Sequence, residues 1–328
     1  MKILVRLPNW MGDMVMSTAF VRAVQDIYPT AEIDLIAKKG IDVLLDYFPP
    51  HGKRYIFSKE EYPGLSGAWK FGKQISRSEK YDLFFCLPDS LSSAVMAYAS
   101  GATKRIGYRK EGRAVLLSHR FHKQSGKHRV EEYVDLLRQF SGQEPSFPVV
   151  SMQGHAVAKQ DCILVNINSE AVSRRLPTEK AIRIIDAIRK AYSGTILLVG
   201  SNKEAAFVDE VYTGLESRSS IVNVAGHTGI PELVGFIQSA KAVLSTDSGP
   251  AHLANALGTP LLVLFGAGNE KNTGPFGKEH AKVIRLNQLA CEPCTSNQCK
   301  QYNIPRCLTA LDEQIIVAEL KQLIHNSR

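Results

Sequence analysis

A short loop near the start of the chain carries the residues best suited to chemistry. Gly12 and Asp13 lie in the stretch 7–14 (Leu-Pro-Asn-Trp-Met-Gly-Asp-Met), between an apolar run typical of a buried strand and a helical pattern. In open α/β sheets, ligands bind beyond the carboxyl ends of the strands. Gly12 lets the backbone approach a ligand, and a helix N-terminus favours the charged form of Asp13. The loop therefore predicts a ligand-side turn in which Asp13 is either a helix cap or a catalytic base.

A second loop, residues 246–252, joins a predicted buried strand to a predicted helix. Ser248 is placed as an N-cap, and Pro250 suits the first turn of the helix. The free N–H groups of that turn favour an anion such as a pyrophosphate, and Gly249 carries no side chain that would keep a phosphate away. His252 either faces the phosphate or is a buried structural imidazole.

Two more glycine-bearing loops follow strands in the second half. One contains Gly266, and the other contains Gly200, Ser201 and Lys203. A single loop of this kind is more often only a capped helix. Three of them in one half of the chain predict that this half binds a nucleotide.

Arg174 and Arg175 stand just before the helix that begins near Pro177. One of them could reach a diphosphate as a bidentate donor, and the alternative is two solvated charges. The chain has no GxxxxGK[ST] loop, no GxGxxG after the first strand, and no Asp-x-Asp pair placed to hold a divalent metal on a diphosphate. The charge of a leaving diphosphate would then be met by helix ends and basic residues.

The elements that must position these loops alternate between strand and helix in both halves of the chain. A polar stretch at 141–148, with a glycine and two prolines, predicts a linker. We therefore expect an α/β protein of two Rossmann-like domains facing across a cleft, residues 1–150 and 151–311. A final helix within 312–328 is a candidate to pack back on the first domain. Transferases of the GT-B type, periplasmic binding proteins and several synthases share this architecture, so it does not select a function.

Bulk properties favour a water-soluble chain of 328 residues. No apolar run approaches the roughly 18 residues of a membrane span, and the start of the sequence lacks the layout of a signal peptide. We therefore expect a cytoplasmic protein.

The net charge of +8 is concentrated in the first half, where 22 Lys and Arg stand against 16 Asp and Glu. The densest segment is 104–129, with nine Lys or Arg, three His and Glu111 as its one acid. This segment is either a solvated face or a site for a polyanion: nucleic acid, phosphorylated lipid or anionic glycan. The lack of regular stacking aromatics argues against single-stranded nucleic acid.

Four of the six cysteines crowd into one segment near the end of the chain: Cys291, Cys294, Cys299 and Cys307. In a cytoplasmic protein this spacing suggests metal more than disulfides, although it lacks the regular paired CxxC form. The cluster is therefore either a set of reduced structural thiols or a structural zinc site, with a redox role as a third alternative.

Taken in order, these motifs resemble the ADP-heptose:lipopolysaccharide heptosyltransferase family, and the heptosyltransferase II branch most closely. The resemblance covers nearly the whole chain. It is carried by Met-Gly-Asp at 11–13, Arg-Ile-Gly-Tyr at 105–108, His-Arg-Val-Glu-Glu-Tyr at 128–133, Arg-Arg-Leu-Pro at 174–177, Asp-Ser-Gly-Pro-Ala-His at 247–252, Ala-Leu-Gly-Thr-Pro at 256–260 and the cysteine cluster.

The resemblance implies an inverting, metal-independent GT-B enzyme that moves heptose from ADP-L-glycero-D-manno-heptose to the inner core of lipopolysaccharide. Residues 1–150 would bind the acceptor, residues 151–311 would bind the nucleotide sugar, and Asp13 would be the general base. No cofactor would be required for catalysis. The residues expected to bind the acceptor are Asn9, Trp10, Met11, Gly12, Lys104, Arg105, Arg109, Arg113 and Arg120.

The residues expected to bind the donor are Arg174, Arg175, Gly200, Ser201, Lys203, Glu232, Asp247, Ser248, Gly249, His252 and Gly266. Two of these positions depart from the family pattern. Arg174 stands where the family often has a lysine on the phosphate, which keeps the charge but changes the geometry. Glu232 is only adjacent to the position of the ribose-binding glutamate of some members.

The resemblance also gives the basic segment a role. The acceptor would be an anionic, lipid-linked core oligosaccharide, and the basic surface would hold the enzyme to the cytoplasmic face of the inner membrane, with no nucleic acid involved. Two alternatives stay open. One is a transferase of the same fold with another nucleotide sugar or acceptor, and the other is a nucleotide-sugar-binding protein without turnover.

Overall fold

The first half of the chain folds as a parallel sheet with helices on both faces. The chain was analysed as a computed structural model, which describes residues 1–110, 112–277 and 280–326, so that Glu111 and the last two residues of the predicted C-terminal helix lie outside the described part. Its contacts separate two units, Met1–Met152 and Gln153–Arg328, and each is described by itself.

In the first unit, the described residues form six parallel strands in the order β3-β2-β1-β4-β5-β6. The two central strands are apolar runs, because both faces of a parallel sheet are covered. The strands are β1 Lys2–Arg6, β2 Glu32–Lys38, β3 Arg54–Phe57, β4 Leu83–Cys86, β5 Lys104–Tyr108 and β6 His119–Phe121.

The helices of this unit lie in two layers: α1 Met11–Met16, α2 Thr18–Ile27, α3 Gly64–Ser78, α4 Leu91–Ala99 and α5 Arg129–Ser141. Phe84 points into the core beneath α3 and α4. Phe85, the next residue, points to the opposite face, where its ring meets Phe20 of α2 and Phe140 of α5 edge to face.

The helix predicted after the first loop is two helices, α1 and α2, with a break at Ser17. Asp13 lies in the first turn of α1.

The second unit repeats this topology, with six strands among its described residues in the order β12-β11-β10-β7-β8-β9. The strands are β7 Cys162–Asn166, β8 Thr195–Leu198, β9 Ile221–Asn223, β10 Ala242–Thr246, β11 Leu261–Phe265 and β12 Ala281–Arg285. The helices are α6 Thr178–Ala191, α7 Ala205–Thr213, α8 Ile230–Ser239, α9 Gly249–Ala256, α10 Glu270–Thr273, α11 Arg306–Thr309 and α12 Glu313–Asn326. The prediction of an α/β protein with two Rossmann-like halves is confirmed.

The C-terminal helix α12 packs inside the second unit, whereas the sequence suggested the first domain as its partner. Ile316 and Leu320 lie in the hydrophobic core of the second unit. The ammonium group of Lys180, which is 2% exposed, lies 2.7 Å from the carboxylate of Glu313 and fastens the start of α12 to α6. Apolar burial and this ion pair both hold the helix against its own unit.

No helix in the described part of the chain is long and apolar enough to cross a membrane.

The close packing of α3 on α4 generates a first prediction. A Cβ atom at Gly72 would lie 2.5 Å from the backbone oxygen of Met96 and 2.7 Å from Cβ of Ala99. We expect Gly72→Ala to lower the free energy of unfolding by about 1–3 kcal/mol, measured by denaturant titration, because backbone atoms cannot move aside cheaply.

Gly235 of α8 provides the matched control, because a Cβ atom there would meet nothing within 4 Å. Gly235→Ala should be neutral or raise stability by up to about 1 kcal/mol, since alanine favours the helix over glycine. Equal effects of the two substitutions would contradict the close packing.

Candidate active site

Asp13 lies at the point where the strand order of the first sheet reverses. β1 has β2 on one side and β4 on the other, so the loops after β1 and β4 run to opposite faces of the sheet and leave a crevice between them. Two side chains of α5 reach Oδ1 of Asp13 at 3.4 Å: Nε of Arg129 and the hydroxyl of Tyr133, which donates a hydrogen bond. The carboxylate is one quarter exposed and therefore open to solvent or a ligand.

The contacts of Arg129 and Tyr133 fix their protonation. Tyr133 is buried, and burial together with the charge of Asp13 raises the pKa of its hydroxyl well above the ordinary value, so the hydroxyl keeps its proton. Burial lowers the pKa of Arg129, and the negative charges of Asp13 and Glu132 act in the opposite direction. Asp13 thus faces a permanent cation and a hydroxyl that keeps its proton.

The ion pairs continue from Arg129 into the loop after β4. Arg129 Nη1 lies 2.7 Å from Glu132, and Lys123 lies 3.4 Å from Glu132 and 2.7 Å from Asp89. Nη1 of Arg113 is 3.5 Å from Asp89 on the other side. Cations and anions therefore alternate from the interior of the unit to the candidate base.

The residues just before Asp13 have different surroundings. Asn9 accepts a hydrogen bond from Arg6, a buried guanidinium whose pKa is lowered to about 10 by burial. Trp10 is 58% exposed, with the ammonium of Lys38 5.8 Å from the centre of its ring. Met11 and Gly12, both partly exposed, open α1.

The basic segment 104–129 does not form one continuous cationic surface. Lys104, Arg109 and Arg120 are exposed. The guanidinium of Arg105 donates to the backbone oxygens of Leu116 and Ala102.

Arg113 corrects the prediction of an acceptor contact, because it is completely buried. Its guanidinium donates to the backbone oxygen of Pro88 at 2.8 Å and lies beneath Gly107, where a Cβ atom would meet it at 2.9 Å. It therefore supports the loop after β4 from inside the unit and offers nothing to a surface ligand.

The second unit has its own crevice, between the loops after β7 and β10. Asn166 donates to the hydroxyl of Ser248 at 2.8 Å, and Ser169 donates to the backbone oxygen of Asp247 at 3.3 Å. Ser248 is the N-cap residue of α9, but its hydroxyl donates to the Thr246 backbone oxygen and makes no side-chain cap. These cross-loop hydrogen bonds fix the first turn of α9, where Gly249 begins the helix and His252 is buried.

Asp247 and Arg174 meet inside this crevice. The carboxylate is 4% exposed, and its Oδ2 atom lies 3.3 Å from Nη1 of Arg174. Burial raises the pKa of Asp247 to about 6, against the opposing effect of Arg174 and Arg285. Oδ2 of Asp247, Nε of Arg174 and Oδ1 of Asn168 are buried without a hydrogen-bond partner. Such atoms are uncommon in folded proteins, and these three in adjoining loops can bond to a polar ligand or to solvent.

The two adjacent arginines have separate surroundings. Arg174 faces Asp247, whereas the guanidinium of Arg175 stacks on the ring of Phe207 in α7, 4.6 Å from its centre. Arg174 is therefore the arginine that can reach a ligand held by Asp247.

Other predicted donor residues have local structural partners. The hydroxyl of Ser201 donates to the carboxylate of Glu204 at 2.7 Å. Lys203, which directly precedes Glu204 in the chain, is exposed. A Cβ atom at Gly200 would lie 2.9 Å from Nδ2 of Asn168. The carboxylate of Glu232 accepts from the backbone N–H of Gly229 at 3.0 Å and so caps α8.

The loop after β11 needs its glycines for packing. A Cβ atom at Gly268 would lie 2.0 Å from Oδ2 of Asp247, and one at Gly266 would lie 2.8 Å from the side chain of Leu308. Arg285 donates to the backbone oxygens of Gly266, at 3.1 Å, and Gly268. The guanidinium of Arg285 thus holds this loop, and Gly268 lies close to the Asp247 carboxylate.

The four clustered cysteines line one cavity as free thiols: Cys291, Cys294, Cys299 and Cys307. Among the described residues, no three His, Cys, Asp or Glu side chains are arranged to hold a metal ion, so the structure does not support the predicted zinc site. Burial raises the pKa of Cys307 to about 11, which keeps this sulfur protonated in the metal-free chain.

The cysteine segment contacts both donor-side loops through its backbone. Ser173 donates its N–H to the backbone oxygen of Asn297 at 3.2 Å, and its hydroxyl donates to the backbone oxygen of Ser296. Thr295 donates its N–H to the backbone oxygen of Ala267 at 2.8 Å. The segment thus braces the Arg174 loop and the Gly266 loop.

Sequence reasoning did not single out Arg129, Tyr133 or Asn168 as site residues. The stretch containing Arg129 and Tyr133 was noted for its family resemblance, and their spacing of four on one helix is a signal that both face one side. Asn168 follows the buried Asn166 by two residues at the end of β7, and paired buried amides at a strand end are such a signal as well.

Known proteins resemble this chain over both units. A model of glycosyltransferase family 9 (heptosyltransferase) matches residues 68–304. Lipopolysaccharide heptosyltransferase 2 of Escherichia coli K12 is 30% identical over 87% of this chain and 88% of its own length. Lipooligosaccharide heptosyltransferase 2 of Haemophilus ducreyi is 28% identical over 99% of both chains. The solved structure of E. coli ADP-heptose lipopolysaccharide heptosyltransferase II is similar with a TM-score of 0.81 and 27% identity over 99% of both chains.

The buried carboxylate of Asp247 predicts a pH-dependent stability. Its pKa is about 6 in the folded chain against an ordinary 3.8, so the folded state binds this proton more tightly than the unfolded state. Ionisation of Asp247 therefore lowers the free energy of unfolding. The loss grows as the pH rises from about 4 to about 6, and at higher pH it is about 3 kcal/mol. Asp247→Asn removes the titration. We expect the melting temperature of the variant, relative to the unmodified chain, to be higher at about pH 8 than at about pH 4.

The measurement is a thermal unfolding series without ligand at several pH values. A difference in melting temperature that stays constant across the series would contradict a raised pKa at Asp247.

Proposed function

The chain belongs to glycosyltransferase family 9, the heptosyltransferases, and on that premise we propose that it transfers heptose from ADP-L-glycero-D-manno-heptose to the inner core of lipopolysaccharide. Its similarity to lipopolysaccharide heptosyltransferase 2 over nearly its full length supports this donor and this acceptor. The structural observation that carries the mechanism is the Asp13 carboxylate, held by Arg129 and Tyr133 where β1 ends.

In the proposed reaction, Asp13 is the general base. Its carboxylate takes the proton of an acceptor hydroxyl while that oxygen attacks the anomeric carbon of the heptose from the face opposite ADP. The new glycosidic bond forms as the bond to the diphosphate oxygen breaks, and ADP carries away the electron pair. A single displacement inverts the configuration and needs one base, whose proton later passes to solvent.

Arg129 and Tyr133 position the base in this proposal. Both contact Oδ1 of Asp13, and together they hold the carboxylate against α5. A carboxylate paired with a guanidinium stays ionised near neutral pH and is ready to accept a proton, at the cost of some basicity. Orientation is then the larger contribution of these two neighbours, because a base acts only within hydrogen-bond reach of its proton.

The second unit would hold the nucleotide part of the donor. Arg174 offers a guanidinium for the diphosphate, and the first turn of α9 after Ser248 offers backbone N–H groups. The carboxylate of Asp247 can accept hydrogen bonds from sugar hydroxyls. We propose that leaving-group charge is met by these groups without a metal ion.

The acceptor would be a lipid-linked glycan with carboxylates and phosphates, met by the exposed cations Lys104, Arg109 and Arg120 of the first unit. The enzyme would then work at the cytoplasmic face of the inner membrane as a peripheral protein.

Asp13→Asn tests the general base. We expect transfer of heptose to a core acceptor to fall by roughly 10²–10⁴-fold, because the amide cannot take the proton, while ADP-heptose binds as before. The measurements are kcat from product formation and donor affinity from calorimetry.

Asp42→Asn is the matched control, because Asp42 also lies in the first turn of a helix, the short 3-10 helix Asp42–Tyr47, where its carboxylate accepts a hydrogen bond from the backbone N–H of Gly40. It should keep full activity. Unchanged transfer in Asp13→Asn would reduce Asp13 to a helix-terminal charge and refute the mechanism.

The two adjacent arginines test the donor site. ADP should raise the melting temperature of the chain, and UDP or GDP should not, if the site is selective for ADP. Arg174→Ala should weaken ADP binding by tenfold or more, since a charge-assisted bond to the diphosphate is lost. Arg175→Ala, whose guanidinium stacks on Phe207, should bind ADP nearly as before.

Equal stabilisation by ADP, UDP and GDP would point to a transferase with another nucleotide sugar. Equal losses in Arg174→Ala and Arg175→Ala would show that Arg174 has no special contact with the nucleotide.

A further inference from the structure

A stacked column of cations and aromatic rings crosses the outer side of α3 and α4. The ammonium of Lys73 lies 5.4 Å from the ring centre of Trp69, whose ring lies 5.9 Å from that of Tyr98. The guanidinium of Arg105 covers the other side of this group, 5.3 Å from the Tyr98 ring. The column joins two helices and a strand, and Arg105 is its one member that the sequence also predicted to bind the acceptor.

The close approach of the two helices places these rings side by side. Gly72 lies against the backbone of Met96 and the methyl group of Ala99, so the outward residues of α3 and α4 are neighbours. Trp69 and Tyr98 remain 42% and 47% exposed, although large aromatic side chains usually bury most of their surface.

Exposed aliphatic residues extend the same side of both helices. Leu65 is one helical turn before Trp69, and Leu91 is two turns before Tyr98, so each shares the face of its aromatic partner. They are 47% and 39% exposed. An apolar strip of this kind on a folded unit marks an interaction surface.

The charged residues within α3 and α4 all have one sign. The sequences of α3 and α4 contain no Asp or Glu, and α3 exposes Lys70, Lys73 and Arg77. A surface of tryptophan, tyrosine and leucine with unopposed cations matches the boundary of an anionic bilayer. There aromatic rings lie at the headgroup level, aliphatic side chains reach the acyl chains, and cations meet lipid phosphates.

We propose that the outer side of α3 and α4 is the surface by which this protein docks on an anionic lipid bilayer. The inference extends the proposed function, on which it rests for the lipid-linked nature of the acceptor, but the contact itself is with lipid headgroups and acyl chains. A glycan as the sole occupant would use the stacked rings and cations but would gain little from Leu65 and Leu91. A bilayer uses all three kinds of side chain.

Co-sedimentation of the full chain with vesicles tests the surface directly. The chain should bind vesicles of phosphatidylethanolamine and phosphatidylglycerol and should bind pure phosphatidylcholine much more weakly. Trp69→Ser with Tyr98→Ser should weaken binding at least tenfold. Lys70→Glu with Lys73→Glu should also weaken binding at least tenfold, since each cation near the surface contributes about fivefold to the affinity.

Two controls match these variants. Lys59→Glu with Lys321→Glu lowers the net charge of +8 by the same amount, at exposed lysines outside α3 and α4. Val222→Ser removes a side chain that is 45% exposed in the second unit. Both controls should bind vesicles like the unmodified chain.

A water-soluble, lipid-free core acceptor separates this inference from the proposed function. The docking variants should transfer heptose to it at the unmodified rate, and circular dichroism should show them folded. Failure of the unmodified chain to bind anionic vesicles, or equal binding by the docking variants, would overturn the inference whatever the transfer assay shows. Self-association that is lost in Trp69→Ser with Tyr98→Ser, without a change in vesicle binding, would reassign the surface to a second copy and also overturn it.

Discussion

Both functional loops depend on one constraint, the single reversal of strand order in each parallel sheet. A parallel sheet is covered on both faces, so polar side chains are excluded from its strands and gather in the loops beyond the strand ends. Where β1 lies between β2 and β4, and β7 between β8 and β10, successive loops turn to opposite faces and leave a crevice. Residues far apart in the chain then meet, as Asn166 and Ser248 do.

The two crevices treat buried charge differently, and the difference fits their proposed roles. In the first unit Asp13 ends a series of alternating charges that begins at the buried Arg113, so each carboxylate has a cation beside it. In the second unit Asp247 has Arg174 at 3.3 Å, yet polar atoms of both remain without hydrogen bonds. In the proposed donor site, a nucleotide sugar would form these bonds, because its hydroxyls donate to a carboxylate and its phosphates accept from a guanidinium. Nε of Arg129 and two nitrogen atoms of Arg113 in the first unit also lack a hydrogen-bond partner, so the two crevices differ in how their carboxylates are paired rather than in how fully their hydrogen bonds are satisfied.

The sequence was sufficient for the architecture but not for the partners of individual side chains. Strand and helix periods predicted two α/β halves, and the loops at Asp13 and Asp247 were found because a glycine beside a polar residue at a strand end is a local pattern. Local patterns cannot report that α5 folds back over Asp13, since that contact joins residues more than a hundred positions apart. Burial is equally non-local. Arg113 looked like its basic neighbours in the sequence, and only the fold puts it beneath Gly107.

The cysteine segment shows how a pattern with a chemical appearance can serve packing. Its thiols face a shared cavity, but its firm contacts are made by backbone: Thr295 to the loop after β11, and Asn297 to the loop that carries Arg174. Gly266 fits because it lies against Leu308 of α11, which follows the segment. Cys307, the buried member of the cluster, suits such a site, since a thiol fills space without needing hydrogen bonds. The cysteine segment therefore helps to hold the loop that carries Arg174 and the loop beside Asp247 in place, and the proposed donor site depends on this support.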